Sequence, residues 1–526
     1  MKNNTLPFRV FPLIGVCAVV VIPVIMYTPG VRFSDDTQYL TGVWRLAEFG
    51  DLCIPRHDML EKGVIGSFFI PGAWNCYYSI NPIGTALILF PFYCFAGFHG
   101  VLSANIVLGG IAVALGYVWF RRMYPPIVSF IGILILGSSP IIQFYMVSSM
   151  SHMAALCIQC TVLILSTHPK RSNASSAYLA ASFISGLGIM VRFDLGLLII
   201  PIICSILLYP SPAEVSLFRI RCRHVLHACL VFTLGTSFQL LYQYFCLGSV
   251  LKSGYQQHQQ ISNLLQWEMI GRAFPRALTA ISHEGMGIFA IIGLAGWIRL
   301  SFSERRRAAV FLSIMLPTFF LYLLFHPFSS RYFIPVFPVL AICAADGLSR
   351  IPGRAIKAAA ILLVMTTCLI SNDLQSYKML TGRNGTVADQ MSAIAIVRRD
   401  VPLDSVVFTP VSLGLLIELA QDRYDVRDSI MLLGPHADRF EQDPIDQHRN
   451  TMRLQSAQKR TMRAMNATLL PKLLGARGEV YAVLRIDQHL ELPRRYPIEI
   501  ELLGTTGGGT ERYYIDRIRP IDSLIE

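Results

Sequence analysis

Eleven apolar runs, at 10–29, 102–120, 125–146, 150–167, 174–191, 194–210, 224–247, 283–298, 308–326, 331–348 and 355–372, constrain this chain more than any other feature. About 20 mostly apolar residues are enough to cross a bilayer as a helix. In hydrocarbon the backbone must satisfy its own hydrogen bonds, so runs of this kind fold as helices. Only 15% of the 526 residues are charged, where soluble domains carry about a quarter. The sequence therefore predicts a multi-span α-helical membrane protein.

A further apolar segment, "INPIGTALILFPFYCFAGF" at 80–98, decides the topology. If it crosses the membrane, every later loop changes sides. If it lies in the interface, the N-terminus, "RR" at 121–122, "PKR" at 169–171, "RIRCR" at 219–223, "RLSFSERRR" at 299–307 and "RIPGRAIK" at 350–357 share one face. That face then holds 16 of the 25 basic residues before residue 373, as expected of the cytoplasmic side. Pro82 and Pro91 also suit a short surface helix better than a straight span. The expectation is eleven spans in a plasma or inner membrane, a cytoplasmic N-terminus and an interfacial helix at 80–98.

This topology places loop 30–101, loop 248–282 and the tail from about 373 outside. The tail balances 20 Lys/Arg against 21 Asp/Glu. It alternates short β-type runs ("SVVFTPV", "EVYAVLRI", "PIEIELLG") with helical stretches such as "GLLIELAQD". A membrane module over 1–372 and an extracytoplasmic α/β domain over 373–526 follow as the expected division. The tail shows no basic, aromatic-interleaved patch, which argues against a nucleic-acid partner. Cys53 and Cys76 share the first outer loop, where a disulfide forms if that compartment is oxidising. Cys157 and Cys160 form a C-x-x-C inside an apolar run with no second ligand pair, and read as inert buried thiols.

The first outer loop opens with "RFSDDTQYL", which sets Asp35 and Asp36 just past the first span. Ser34 with the two acids makes a good helix start, since acids favour the positive end of a helix dipole. A capped first turn also holds a carboxylate still, so structure and chemistry need not compete. Ordered along the chain come "WNCYYSINPIGTALILFPFY", "SSPIIQFYMVSSMSHMAAL", "GLGIMVRFDLGLLIIP", "YQYFCLGSVLKSGY" and "FSSRYFIPVFPVL". Together with the acidic pair, this set resembles the GT-C polyprenyl-phosphate-dependent glycosyltransferases. Protein O-mannosyltransferases and aminoarabinose-lipid A transferases are the nearest members.

The resemblance implies a GT-C membrane fold and transfer of a sugar from a polyprenyl-phosphate donor to a lipid, glycan or protein acceptor at the outer membrane face. Asp35 or Asp36 then supplies the base, with Asp35 favoured and Asp36 orienting it, or the two hold a divalent metal (Mg, Mn or Ca). A single base displacing a lipid phosphate inverts the anomeric configuration. Arg331 is the first choice for the donor phosphate, because a guanidinium forks onto phosphate oxygens. Arg192 and Lys252 are further candidates, and Arg192 and Asp194 alternatively pair with each other. Tyr78, Asn81, His152 and Asp194 are expected around the substrate cavity, with His283 and Glu284 as weaker candidates at another span mouth.

Where many relatives carry a basic residue and a double proline, this chain reads "SINPIG". Arg56 or Lys62 would have to replace that contact, or the donor is held differently. A G-x-G-x-x-G or P-loop motif, which would indicate a nucleotide-sugar donor, is absent. A transporter or flippase is the rival class. It predicts mid-span charges and paired repeats, whereas here the charges cluster outside and no repeat is visible. A catalytically silent relative is the third reading, against which the acidic pair argues.

Overall fold

The computed structural model describes residues 17–27 in part, 34–55, 69–79, 81–167, 174–209, 218–250, 274–324 apart from 276, 330–353, 389–409, 425–428, 479–485, 498–506 and 513–520, with isolated positions besides. The helices are α1 (Ser34–Phe49), α2 (Gly84–Arg121), α3 (Pro126–Gly137), α4 (Pro140–Met146), α5 (His152–Ser166) and α6 (Ala174–Gly188). They continue with α7 (Ile199–Leu208), α8 (Phe218–Tyr242), α9 (Ile288–Ser303), α10 (Arg305–Leu324) and α11 (Phe337–Ser349). Short 3-10 turns at Phe193–Leu198 and Ser330–Val336 lead into α7 and α11.

Among the described residues four helices are long and apolar enough to cross a membrane, Gly84–Arg121, Arg219–Leu247, Arg305–Leu323 and Arg331–Ser349, and α3 with α4 makes a fifth if that pair, bent by 68°, is one span. Other expected spans are helical but broken. The run at 194–210 is 3-10 before it is α, and the run at 283–298 begins as a π-wound segment, Ala280–Met286. The runs at 10–29 and 355–372 lie largely outside the described residues.

Helix α2 joins the ambiguous segment to the next run. A straight helix of 38 residues would measure about 57 Å, far more than a hydrocarbon core of about 30 Å. It is not straight: Ala96 and Gly97 leave helical geometry, Gly97 at φ 56°, a conformation that glycine adopts without penalty. The segment expected at 80–98 is thus a helix of its own, ended by a glycine and followed directly by the next.

Small residues let the helices close on one another. On α6 and α8, Gly186 and Gly235 face each other, and a Cβ on Gly186 would collide with the Phe232 carbonyl oxygen. On α9, Gly293 and Gly296 sit against the Leu340 and Cys343 carbonyls of α11. Close backbone approach of this kind is the usual source of helix association where lipid removes the hydrophobic drive. A buried core including Leu40, Val43, Trp119, Phe120, Phe311 and Phe337 fills the helical part.

Two sheets accompany the helices. In the first loop, β1 (Ile54–Pro55), β3 (Cys76–Ser79) and β2 (Phe69–Pro71) pair antiparallel in that order. Cys53 and Cys76 are disulfide-bonded with Cα atoms 5.2 Å apart. The second sheet has order β5-β4-β6-β8-β7, from β4 (Val406–Thr409), β5 (Asp425–Asp428), β6 (Val480–Arg485), β7 (Ile498–Thr505) and β8 (Tyr513–Pro520). Its first three strands are parallel and β8 and β7 antiparallel. Ala393, Ile394 and Val397, from a helix over 389–400, pack with Val407, Tyr481 and Ile515 of the sheet. The three β-type runs read in the tail are strands β4, β6 and β7, while "GLLIELAQD" lies outside the described residues.

Candidate active site

Asp35 and Asp36 occupy the first turn of α1, at the helix start expected for them. Their side chains lie outside the described residues. The helix below them has two distinct faces. Positions three, four and seven residues after 35 are Gln38, Tyr39 and Gly42, and with Arg45 they line a small cleft open to solvent. Positions four and seven residues after 36 are Leu40 and Val43, both fully buried in the core. Helical spacing therefore sets position 35 one turn above the cleft stripe and position 36 above the core stripe.

The opposite wall of the cleft is the "SINP" turn. Gln38 Oε1 accepts from Ser79 Oγ at 3.1 Å and from Asn81 Nδ2 at 3.0 Å. Ser79 Oγ also accepts from the Asn81 backbone N–H at 3.1 Å. Ser79 and Asn81 are thus latched to the acid-bearing helix. At the lower end, Arg45 pairs with Asp51 at 2.7 Å and lies 4.0 Å over the Phe49 ring.

A second cluster gathers residues from four parts of the chain. Arg192 Nε donates to Asp194 Oδ1 at 3.0 Å, and Nη2 donates to Asp194 Oδ2 at 3.2 Å and to the Tyr322 hydroxyl at 3.0 Å. The Tyr322 hydroxyl in turn donates to Asp194 Oδ2 at 2.6 Å. Arg192 Nη1 reaches His152 Nδ1 at 2.9 Å and Ser151 Oγ at 3.4 Å. A guanidinium only donates, so His152 Nδ1 is the acceptor and the ring carries its proton on Nε2. Ser151 Oγ accepts again from Tyr39 of α1, at 3.3 Å. The turn before His152 is held by Asn105 of α2, which donates to the carbonyls of Tyr145 at 3.5 Å, Ser148 at 2.5 Å and Met150 at 2.6 Å.

Arg331 stands at the start of the 3-10 turn leading to α11. It donates to the Tyr332 hydroxyl at 3.0 Å, meets the Met150 sulfur at 3.8 Å and lies within electrostatic reach of His152. Tyr332 stacks 4.7 Å from Tyr322, which joins the surroundings of the two arginines. Among the described residues, Arg192 and Arg331 and the carboxylate of Asp194 are the charged groups of this cluster, with Asp194 held by Arg192.

The structure brings Arg192, Asp194, His152 and Arg331 together, and places Asn81 in the cleft. Tyr78 is turned away. It is buried with Ile70, Cys76 and Leu247 against the π-wound turn that ends α8. Burial first, then the neighbouring Cys246 and Asp51, push its phenol up to about 12. Lys252, Arg56 and Lys62 lie outside the described residues, as do the side chains of His283 and Glu284.

Comparison with known proteins follows this geometry. Residues 81–237 match the family model of dolichyl-phosphate-mannose-protein mannosyltransferases. Among solved structures, ArnT from Cupriavidus metallidurans bound to undecaprenyl phosphate is similar over 98% of each chain, at 13% identity and a TM-score of 0.58. The Archaeoglobus fulgidus oligosaccharyltransferase tethered to an acceptor peptide covers 96% of this chain and 74% of its own, at 12% identity and a TM-score of 0.53. AglB of the same organism, in complex with an inhibitory peptide and a dolichol-phosphate, covers 100% and 75%, at 11% identity and a TM-score of 0.50. No curated protein matches the chain by sequence. This chain has the GT-C fold.

With this fold it is an integral membrane protein, in which the acid-bearing α1 is joined both to Ser79 and Asn81 and to the Arg192 cluster. Reading the sequence missed Gln38, Tyr39, Ser151 and Tyr322, the residues that connect these parts. Tyr39 and Gln38 carried a signal, since both follow the acidic pair at one helical turn. Tyr322 lies 128 residues from Asp194 and carried none.

Proposed function

We propose that this GT-C protein is an inverting glycosyltransferase that moves a sugar from a polyprenyl-phosphate donor to a lipid, glycan or protein acceptor at the extracytoplasmic face. The observation that carries this reading is the acid-bearing first turn of α1, one turn above a cleft and tied through Tyr39 and Ser151 to a cluster holding two guanidiniums. Family and fold support a lipid-linked donor; ArnT and AglB were solved with undecaprenyl phosphate and dolichol-phosphate, respectively.

In this mechanism Asp35 takes the proton of the acceptor hydroxyl. The freed oxygen forms a bond to the anomeric carbon from the side opposite the phosphate. The bond from that carbon to the phosphate oxygen breaks, its electron pair stays on the phosphate, and polyprenyl phosphate departs. Arg331 meets the charge that develops there. Asp36, above the core stripe, orients the turn. His152, a neutral Nε2–H donor beside both arginines, and Asn81 shape the cavity.

The donor set speaks on the metal. Among the described residues no three His, Cys, Asp or Glu side chains converge, and Asp194 is taken up by Arg192 and Tyr322. Asp35 and Asp36 would hold a divalent cation where one is used, and it would there supply positive charge to the reacting oxygens.

The proposed topology has eleven spans over 1–372, a cytoplasmic N-terminus and an extracytoplasmic α/β domain over 373–526. Positive-inside loops and the Cys53–Cys76 disulfide support this orientation. The deciding experiment measures release of free polyprenyl phosphate from a panel of hexose- and pentose-bearing donors, with crude envelope extract as acceptor, with and without divalent metal. Release from one donor, lost in Asp35→Asn, is the expected result. No release from any donor by folded protein would overturn the reading.

A further inference from the structure

A guanidinium carries five N–H hydrogens, and every one on Arg192 already has an acceptor within the protein. Nε is spent on Asp194, the two hydrogens of Nη2 on Asp194 and Tyr322, and the two of Nη1 on Ser151 and His152. A phosphate oxygen could enter only by displacing one of them. The acceptors also come from separate parts of the chain: the turn before α5, the 3-10 turn before α7, and α10. Through the hydroxyl of Ser151, which accepts from both Arg192 and Tyr39, the cluster reaches α1.

We infer that Arg192 is a positioning residue rather than a phosphate ligand, and that it fixes the acid-bearing turn of α1 through Ser151 and Tyr39. The inference rests on the glycosyltransferase reading for what the turn does, but not for how it is held. Tyr39 lies four residues after Asp35, so its hydroxyl anchors the helical turn directly below the carboxylate position. Asp194 and Tyr322 orient Arg192, and the departing phosphate is left to Arg331. Arg192→Lys keeps the charge and loses the fork, which is the property the cluster uses.

Two readouts on the full-length protein in detergent test this. The first is amide hydrogen exchange over α1 in wild type, Arg192→Lys, Tyr322→Phe and Tyr39→Phe. Faster exchange at residues 34–42 in all three variants is expected, while α9, which contributes no residue to the cluster, keeps its protection. Unchanged exchange in α1 would overturn the inference whether or not any sugar is transferred. The second is the kinetic split, with affinity for polyprenyl phosphate measured in parallel. The inference requires kcat to fall by at least about tenfold while the donor KM and the affinity stay within about twofold. A weakened affinity in Arg192→Lys with kcat retained, and no effect of Tyr39→Phe, would make Arg192 a phosphate ligand instead. If wild type transfers nothing but the exchange pattern holds, the functional reading fails and the positioning role stands.

Discussion

The hydroxyl of Tyr322 donates to Asp194 Oδ2 at 2.6 Å and accepts from Arg192 Nη2 at 3.0 Å, closing a three-membered ring of side chains between α10 and the 3-10 turn before α7. Both oxygens of Asp194 are thereby engaged within the protein, by Arg192 and by Tyr322. The base proposed above belongs to the first turn of α1.

The two acids of that turn should therefore behave unequally. Asp35→Asn is expected to lower polyprenyl phosphate release by at least about a hundredfold, the scale of losing a general base. Asp36→Asn, on the core-side stripe, is expected to cost no more than about tenfold. Turnover of the two variants, normalised to folded protein, checks the asymmetry. Equal losses would mean that both carboxylates meet the substrate.

The Gln38 bridge gives a second expectation. Its carbonyl oxygen accepts from Ser79 and Asn81, and neutral hydrogen bonds each contribute about 0.5–1.5 kcal/mol. Gln38→Leu should loosen the "SINP" turn from α1 and reduce kcat/KM by roughly three- to thirtyfold. Gln38→Glu keeps the acceptor and should lose less. Steady-state kinetics on the pair separates loss of the acceptor from loss of the side chain.

Much of this was legible from local pattern. The break in α2 falls at the end of the first of two apolar runs, 80–98 and 102–120, that the sequence already separates, and the disulfide joins two cysteines of one outer loop. Arg192 and Asp194, two residues apart, were already expected to pair as one alternative. The contacts that turn these parts into a site were not legible, because hydrogen bonds such as Tyr39 to Ser151, 112 residues apart, leave no periodic trace in either partner's neighbourhood. Nor was the count of intact spans, since the 3-10 and π segments that interrupt apolar runs share the composition of the helices they interrupt.

The tail sheet carries a pH expectation. Glu479 accepts from the Tyr481 hydroxyl and from Arg519, and the Tyr481 bond first, with Arg519 and Arg517 behind it, holds its carboxyl below the usual glutamate range. A carboxyl depressed in the folded state contributes stability that is present above its unfolded value and is lost as pH falls through its folded value. The side chain is 35% exposed, so the contribution is at most about 1 kcal/mol. Hydrogen exchange in β6 and β8 should rise as acid is added to wild type, and rise less in Glu479→Gln. An identical acid response in the two would remove Glu479 from the account.

Helix association supplies the last expectation. On α9, a Cβ at Gly296 would collide with the Cys343 carbonyl oxygen of α11, and one at Gly293 with that of Leu340. Both obstacles are backbone, so neither can rotate away, and relief requires the helices to part. Overpacking of this kind costs about 1–3 kcal/mol or more. Gly296→Val should lower the thermal midpoint of the detergent-solubilised protein by several degrees, and Gly293→Val with it should lower it further. The helices meet along a seam in which packing is the main attraction, so parting them at one glycine weakens the neighbouring contact too. The double variant should then fall short of the sum of the singles, because the second glycine faces a seam already opened. Strict additivity would mean that the two positions pack independently.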